Sequence, residues 1–183
     1  MALTVESIID RLQTALMEHT PVLAVRDILD EFVADPAQLE HALGPVEKGG
    51  ITTLHNAADL TVLHVAWTPG MALYPHEHQM WAAIGLYGGQ EDNAYFRRSS
   101  DGLTAAGGRD LHAKEVLVLG DDAIHSVANT RREFAVALHV YGGDFFTAER
   151  SEWDSETFEE RPRDLARTMR IFEEANERWL GER

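Results

Sequence analysis

The sequence predicts an all-β core with helices before and after it, in one domain. Three observations predict this. From Ile51 onward the chain breaks into short segments rich in β-branched and aromatic residues: TVLHVAW, AAIGLYGG, NAYFRR, EVLVLG, HSVAN and FAVALHVYGG. Turn-forming clusters (TPG, SSDG, AAGG, GDD, NTRRE) separate them at short intervals, the pattern of an antiparallel sandwich or barrel. At both ends of the chain, apolar residues instead recur every three or four positions, the period of an amphipathic helix.

Each element can be read in order. Val5, Ile8, Ile9, Leu12 and Leu16 form one apolar stripe, with Thr4 placed as its N-cap. Pro21 restarts the chain, and Val22, Val25, Ile28, Leu29 and Phe32 repeat the stripe. Asp35-Pro36 supplies a cap and a first helical residue for a third short helix, which Gly44-Pro45 ends. EKGG at 47–50 is a turn. At the far end Leu165, Met169, Phe172, Ala175 and Trp179 mark a C-terminal helix packed on the barrel. The plan is a helical segment over 1–50, a barrel over 51–146 and a helical segment over 147–183. The acidic stretch SEWDSETFEE reads as a solvated connector.

Composition narrows the function. The chain has 183 residues, 44% of them hydrophobic, enough for a proper core. A net charge of −15 argues against nucleic acid, whose phosphates need a basic surface, and against an anionic membrane face. There is no cysteine, so a disulfide, a thiolate metal site and a cysteine nucleophile are all excluded. A metal here is held by His, Asp or Glu. No basic leader precedes an apolar run, and no apolar run is long enough to span a bilayer, so a cytoplasmic protein is expected. Monomer and homodimer are both compatible with the sequence.

The chemistry concentrates in YPHEHQMWAAIGLYGG, residues 74–89. Side chains two apart on a strand share a face, so His76 and His78 point the same way, with Met80, Ala82 and Ile84 continuing that face. Two such imidazoles can ligate one ion. Gly70 precedes this pair and Gly89 follows it; further on come Gly120, His125 and Asn129. On the last barrel strand Ala135, Ala137, His139 and Tyr141 share a face, and a buried His and Tyr need hydrogen-bond partners.

The two spaced sets resemble the paired motifs of the cupin superfamily over roughly residues 51–146. The resemblance implies a double-stranded β-helix, the RmlC-like jelly roll, with N-terminal helices and a C-terminal helix. The first motif normally carries a carboxylate where this chain has Ala82. What remains is a neutral three-histidine set, His76, His78 and His125, which leaves positions open as catalytic metal sites do. With HSVAN, Trp67 before Gly70 and the His139/Tyr141 pair, the chain looks like the thiol dioxygenases of the cysteine dioxygenase family.

That family likeness implies Fe(II) on the three histidines and the addition of both atoms of O₂ to a small thiol, giving a sulfinate. It implies His139 as the orienting residue and Tyr141 as a hydrogen-bond donor to substrate or oxygen. The family's carboxylate-clamping arginine has no counterpart in ITTLHNAADL; Arg97 and Arg98 are the substitutes expected for substrate binding. The position of the family's crosslinking cysteine is Ala83. Two other readings share the motifs: a three-histidine cupin enzyme loaded with Zn, Ni or Mn, and a non-catalytic cupin that binds a small molecule. Gln79 and Glu91 read as surface or rim residues, His64 as a core or rim histidine, and Trp67 and Trp81 as filling between barrel and helices.

Overall fold

The computed structural model describes residues 2–100 and 102–182; Asp101 of the expected SSDG turn lies outside them. Three helices come first: α1 (Val5–Ala15), α2 (Pro21–Val33) and α3 (Pro36–Leu43). Thr4 caps α1 as the sequence suggests. Its hydroxyl accepts from the Ser7 amide at 3.1 Å, and Ser7 Oγ accepts from the Thr4 amide at 2.9 Å. Pro21 and Pro36 open α2 and α3, where a missing amide hydrogen costs nothing.

Eleven strands follow among the described residues, then a final helix. They are β1 (Gly50–Asn56), β2 (Thr61–Trp67), β3 (Ala72–Glu77), β4 (Ala82–Gly88), β5 (Gln90–Ser99), β6 (Gly102–His112), β7 (Glu115–Leu119), β8 (Ile124–Ala128), β9 (Ala135–Tyr141), β10 (Ser151–Trp153), β11 (Glu160–Pro162) and α4 (Leu165–Gly181). One sheet runs β1-β2-β9-β4-β7, the other β11-β10-β3-β8-β5-β6, and every pair is antiparallel. Strands near in sequence alternate between the sheets, so the chain winds as a double-stranded β-helix, the cupin fold. No helix among the described residues is long and apolar enough to cross a membrane.

Two apolar clusters divide the molecule. One fills the barrel, built from inward residues such as Leu63, Val65, Leu73, Ile84, Leu86 and Val127, and reaches Phe172 and Ala175 of α4. The other lies outside the five-stranded sheet, where Val62, Ala83, Leu138 and Val140 meet Ile8, Leu12, Leu29 and Val33 of α1 and α2. Period-2 alternation thus puts both faces of β2, β4 and β9 in apolar surroundings, one toward the barrel and one toward the helices.

The structure corrects three sequence expectations here. AAGG is not a turn; it lies inside β6, where Gly107 at φ +119° takes up a register slip opposite Tyr95 and Phe96. SEWDSETFEE is not a solvated connector. Its ends form the β10–β11 hairpin, Glu152 and Trp153 are buried, and β10 pairs with β3 at Glu152 and His76. The face shared by His76 and His78 does not run on along one strand. β3 ends at Glu77, the chain turns with Gln79 at φ +57°, and Ala82 and Ile84 reach the interior from the opposite sheet.

Candidate metal centre

Antiparallel register assembles the site. β3 and β8 pair with His76 directly opposite His125. His78 follows β3 as the chain leaves the sheet. The three ring centroids lie 4.7 to 5.1 Å apart, and one ring nitrogen from each lies within 4.8 Å of the others. All three residues are buried. On the facing sheet, β9 pairs with β2 and β4 so that His139 lies beside Leu63 and Ile84, and Tyr141 beside Thr61 and Ala82. Ala82, where the common cupin carboxylate would stand, is an interior residue flanking Tyr141, whereas Ala83 belongs to the helix-covered face. The two glycines that flank the first motif serve geometry: Gly70 and Gly89 sit at φ +73° and +70°, and a Cβ at Gly89 would collide with the Phe134 carbonyl.

The hydrogen bonds fix which atoms are free. His76 Nδ1–H donates to the Tyr74 carbonyl at 3.0 Å, and His125 Nδ1–H donates to Asn93 Oδ1 at 2.8 Å. Both rings therefore keep Nε2 as a lone-pair donor. His125 Nε2 and His78 Nδ1 are buried without partners. Burial above all pushes His76 and His78 well below the ordinary imidazole range, helped by the Arg163 charge and the neighbouring histidines. Burial also brings His125 down to about 4, partly opposed by Glu91. Neutral imidazoles with a ring nitrogen each in mutual reach are what a divalent ion requires, so the residues fit a metal. The chain carries a cupin fold with a three-histidine cluster that can bind one.

Around the histidines the structure adds groups the sequence did not single out. Glu91, expected at the rim, is fully buried. Its Oε2 accepts from Trp67 Nε1 at 2.9 Å and lies 3.7 Å from His139 Nε2; its Oε1 accepts from Asn93 Nδ2 at 3.3 Å. Burial pushes this carboxyl up, but His139 and Asn93 outweigh that and hold it low, hence ionised. Trp67, expected between barrel and helices, is in the barrel cluster, with His139 on one side and Phe172 of α4 at 5.3 Å on the other. Trp81 does pack with the helix-side cluster. His64 hydrogen-bonds Tyr87 Oη at 2.7 Å, away from the three-histidine cluster.

His139 Nδ1 and Tyr141 Oη are 3.2 Å apart, and the Tyr141 ring lies 5.0 Å from that of His78. Burial raises the Tyr141 pKa strongly, so its hydroxyl stays protonated. Arg97 and Arg98 do not reach the histidines. Arg97 is exposed, and Arg98 binds Glu77 and Glu160 and lies over the Trp153 ring. The arginines that do approach are Arg163 and Arg150, from the segments flanking the β10–β11 hairpin.

Arg163 lines the same small cavity as His76, His78, His125, His139 and Tyr141, a space of about 20 Å³ that holds about one water. Its Nη2 donates to Thr168 at 3.3 Å, while Nε and Nη1 are buried without partners. The hairpin places it: the Arg163 amide donates to the Arg150 carbonyl, and buried Glu152 accepts from the next amide, Asp164. Arg150 is buried, lies 4.2 Å over the Phe145 ring, and is pulled down to about 10 by burial and by Arg163. Outside both runs an open cleft of about 1090 Å³, lined by 146–151 and 160–166.

No protein-family profile matches the chain. Similar solved structures include cupin and double-stranded β-helix proteins. A cupin superfamily protein of Desulfitobacterium hafniense is 13% identical over 60% of this chain and 87% of its own, with a TM-score of 0.45. An RmlC-like cupin of Methanocaldococcus jannaschii is 8% identical over 54% of this chain and 84% of its own, with a TM-score of 0.46. Oxalate decarboxylase of Lactobacillus farciminis is 19% identical over 55% of this chain, with a TM-score of 0.45, and the match spans only 30% of that enzyme. The strand order and register above, rather than these likenesses, establish the fold.

Proposed function

We propose that this protein is a ferrous thiol dioxygenase that converts a small carboxylate-bearing thiol and O₂ to the sulfinate. The observation that carries this reading is Arg163: a guanidinium with two buried, unpartnered N–H groups in the same cavity as three neutral histidines. A buried cation without a partner is costly, and a substrate carboxylate would relieve it with charge-assisted hydrogen bonds. It also supplies the clamp that the stretch before the first motif lacks.

His76, His78 and His125 would hold the iron, whose chemistry is to bind and activate dioxygen. With no carboxylate ligand at position 82, a divalent ion there keeps its full charge, which favours a thiolate donor. The remaining residues position and protect. Arg163 orients the substrate through its carboxylate. Tyr141, kept protonated by burial and set beside His139, donates a hydrogen bond toward the substrate or oxygen. Glu91 lies 3.7 Å behind His139 Nε2 and, through Asn93, fixes the tautomer of His125. Leu63, Val65, Leu73 and Phe145 line the rest of the cavity with apolar surface.

The test is oxygen uptake by anaerobically iron-loaded protein with cysteine, 3-mercaptopropionate, cysteamine and mercaptosuccinate, with product identified by mass. Equimolar O₂ uptake and sulfinate, lost in His125→Ala and absent with cysteamine, is expected. No uptake with any thiol despite stoichiometric iron would overturn the reading in favour of another metal or a carbon-based substrate.

A further inference from the structure

The β10–β11 region is rich in arginine, and pairing is the rule there. Arg161 and Arg167 both bind Glu152, and Arg98 binds Glu77 and Glu160. Arg150 and Arg163 are the exceptions. Among the described residues neither has a carboxylate within 4.0 Å, although the chain carries 31 acidic residues. Arg150 makes one long bond, Nη1 to the Ala148 carbonyl at 3.3 Å, and its Nε is buried without a partner. Arg150 is buried and Arg163 has its Nε and Nη1 buried, and among the described residues neither of these neighbouring cations is held in an ion pair.

The two cations approach from different sides. Arg163 lies over the Tyr74 ring at 5.6 Å and beside Thr168, on the His76 side. Arg150 lies over Phe145, whose ring is 4.5 Å from Tyr141 and 6.4 Å from His78. Both also line the outer cleft, which leads a solute to them. One carboxylate on Arg163 leaves Arg150 unpaired and buried.

We infer that the molecule this site is built for carries two anionic groups, one held by Arg163 and a second by Arg150. Built on the thiol reading, this specifies a dicarboxylate thiol rather than a monocarboxylate one. The second acid group is the recognition element, and Arg150 is its specificity-determining residue.

The test separates binding from turnover. Calorimetry under anaerobic conditions compares succinate with butyrate on the full iron-loaded chain, and steady-state kinetics compare mercaptosuccinate with 3-mercaptopropionate. A charge-assisted pair predicts that succinate binds at least about tenfold more tightly than butyrate. A similar ratio is expected in kcat/KM for the two thiols. Arg150→Gln should bring both ratios close to one, Arg150→Lys should restore part of them, and Arg163→Gln should weaken all four ligands. Equal binding of succinate and butyrate by the unaltered protein would overturn the inference, whether or not the variants fold. So would a ratio that survives Arg150→Gln. Succinate selectivity without oxidation of any thiol would sink the thiol reaction and leave this inference standing; thiol oxidation without diacid preference would do the reverse.

Discussion

Asn93 shows how much of the site rests on residues that touch no ligand. It accepts from His125 Nδ1 and donates to Glu91, so it sets both the tautomer of the histidine and the place of the buried carboxylate. Asn93→Ala is expected to lower iron affinity by about 10- to 100-fold, as loss of such partners does, while the fold persists; competition with a coloured chelator measures it. Tyr141→Phe keeps the ring against Phe145 and His78 and removes only the hydroxyl. Its expected effect is a fall in kcat of about tenfold, the worth of one buried hydrogen bond, with KM less affected. His76, His78, His125, His139 and Tyr141 stood out in the sequence by motif spacing and by alternation on β9, and the structure brings all five to one cavity. Arg150 and Arg163 did not. They stand among alternating charges in TAERSEW and EERPRDL, where no periodicity marks burial. Only the closure of a hairpin on the barrel turns two surface-like arginines inward.

At the scale of elements, that hairpin is the part the sequence misrepresented. Composition makes residues 151–160 look solvated, yet Glu152 is fully buried and takes Arg161, Arg167 and the Asp164 amide. Charges satisfied inside a sheet edge look the same in sequence as charges satisfied by water. Glu152→Ala takes the acceptor from a backbone amide and two part-exposed arginines, and is expected to cost about 1–3 kcal/mol in a urea titration. It should also raise KM for carboxylated thiols, because Arg163 loses its anchor. The helices were read well, since Thr4, Pro21 and Asp35-Pro36 are local signals that tertiary packing had no reason to override. Their contribution is burial against the five-stranded sheet. Leu29 packs near Gly85 of β4, and Leu29→Ala is expected to cost about 2–5 kcal/mol without touching metal content. β6 was missed for an opposite reason: glycines that normally punctuate a chain here absorb a bulge within a strand.

For the whole molecule, three buried imidazoles couple folding to pH. In the metal-free protein His125 titrates at about 4, and His76 and His78 well below the ordinary value. In the unfolded chain all three titrate near ~6.5. Between those values the unfolded state binds more protons, so stability is full above about pH 6.5 and is lost as pH falls toward 4. Urea midpoints for the metal-free protein should therefore be lower at pH 5.5 than at pH 7.5. Metal should oppose this, raising stability by about 2.7 kcal/mol at a hundredfold excess over Kd.

The central claim is that His76, His78 and His125 together form one metal centre. Anaerobic equilibrium dialysis of the full chain against Fe(II), with metal and protein counted in the same sample, tests it directly. The account predicts saturation at about one ion per chain, with binding lost in each of His76→Ala, His78→Ala and His125→Ala. No saturable binding by the unaltered protein, or full binding in any of the three variants, would contradict it.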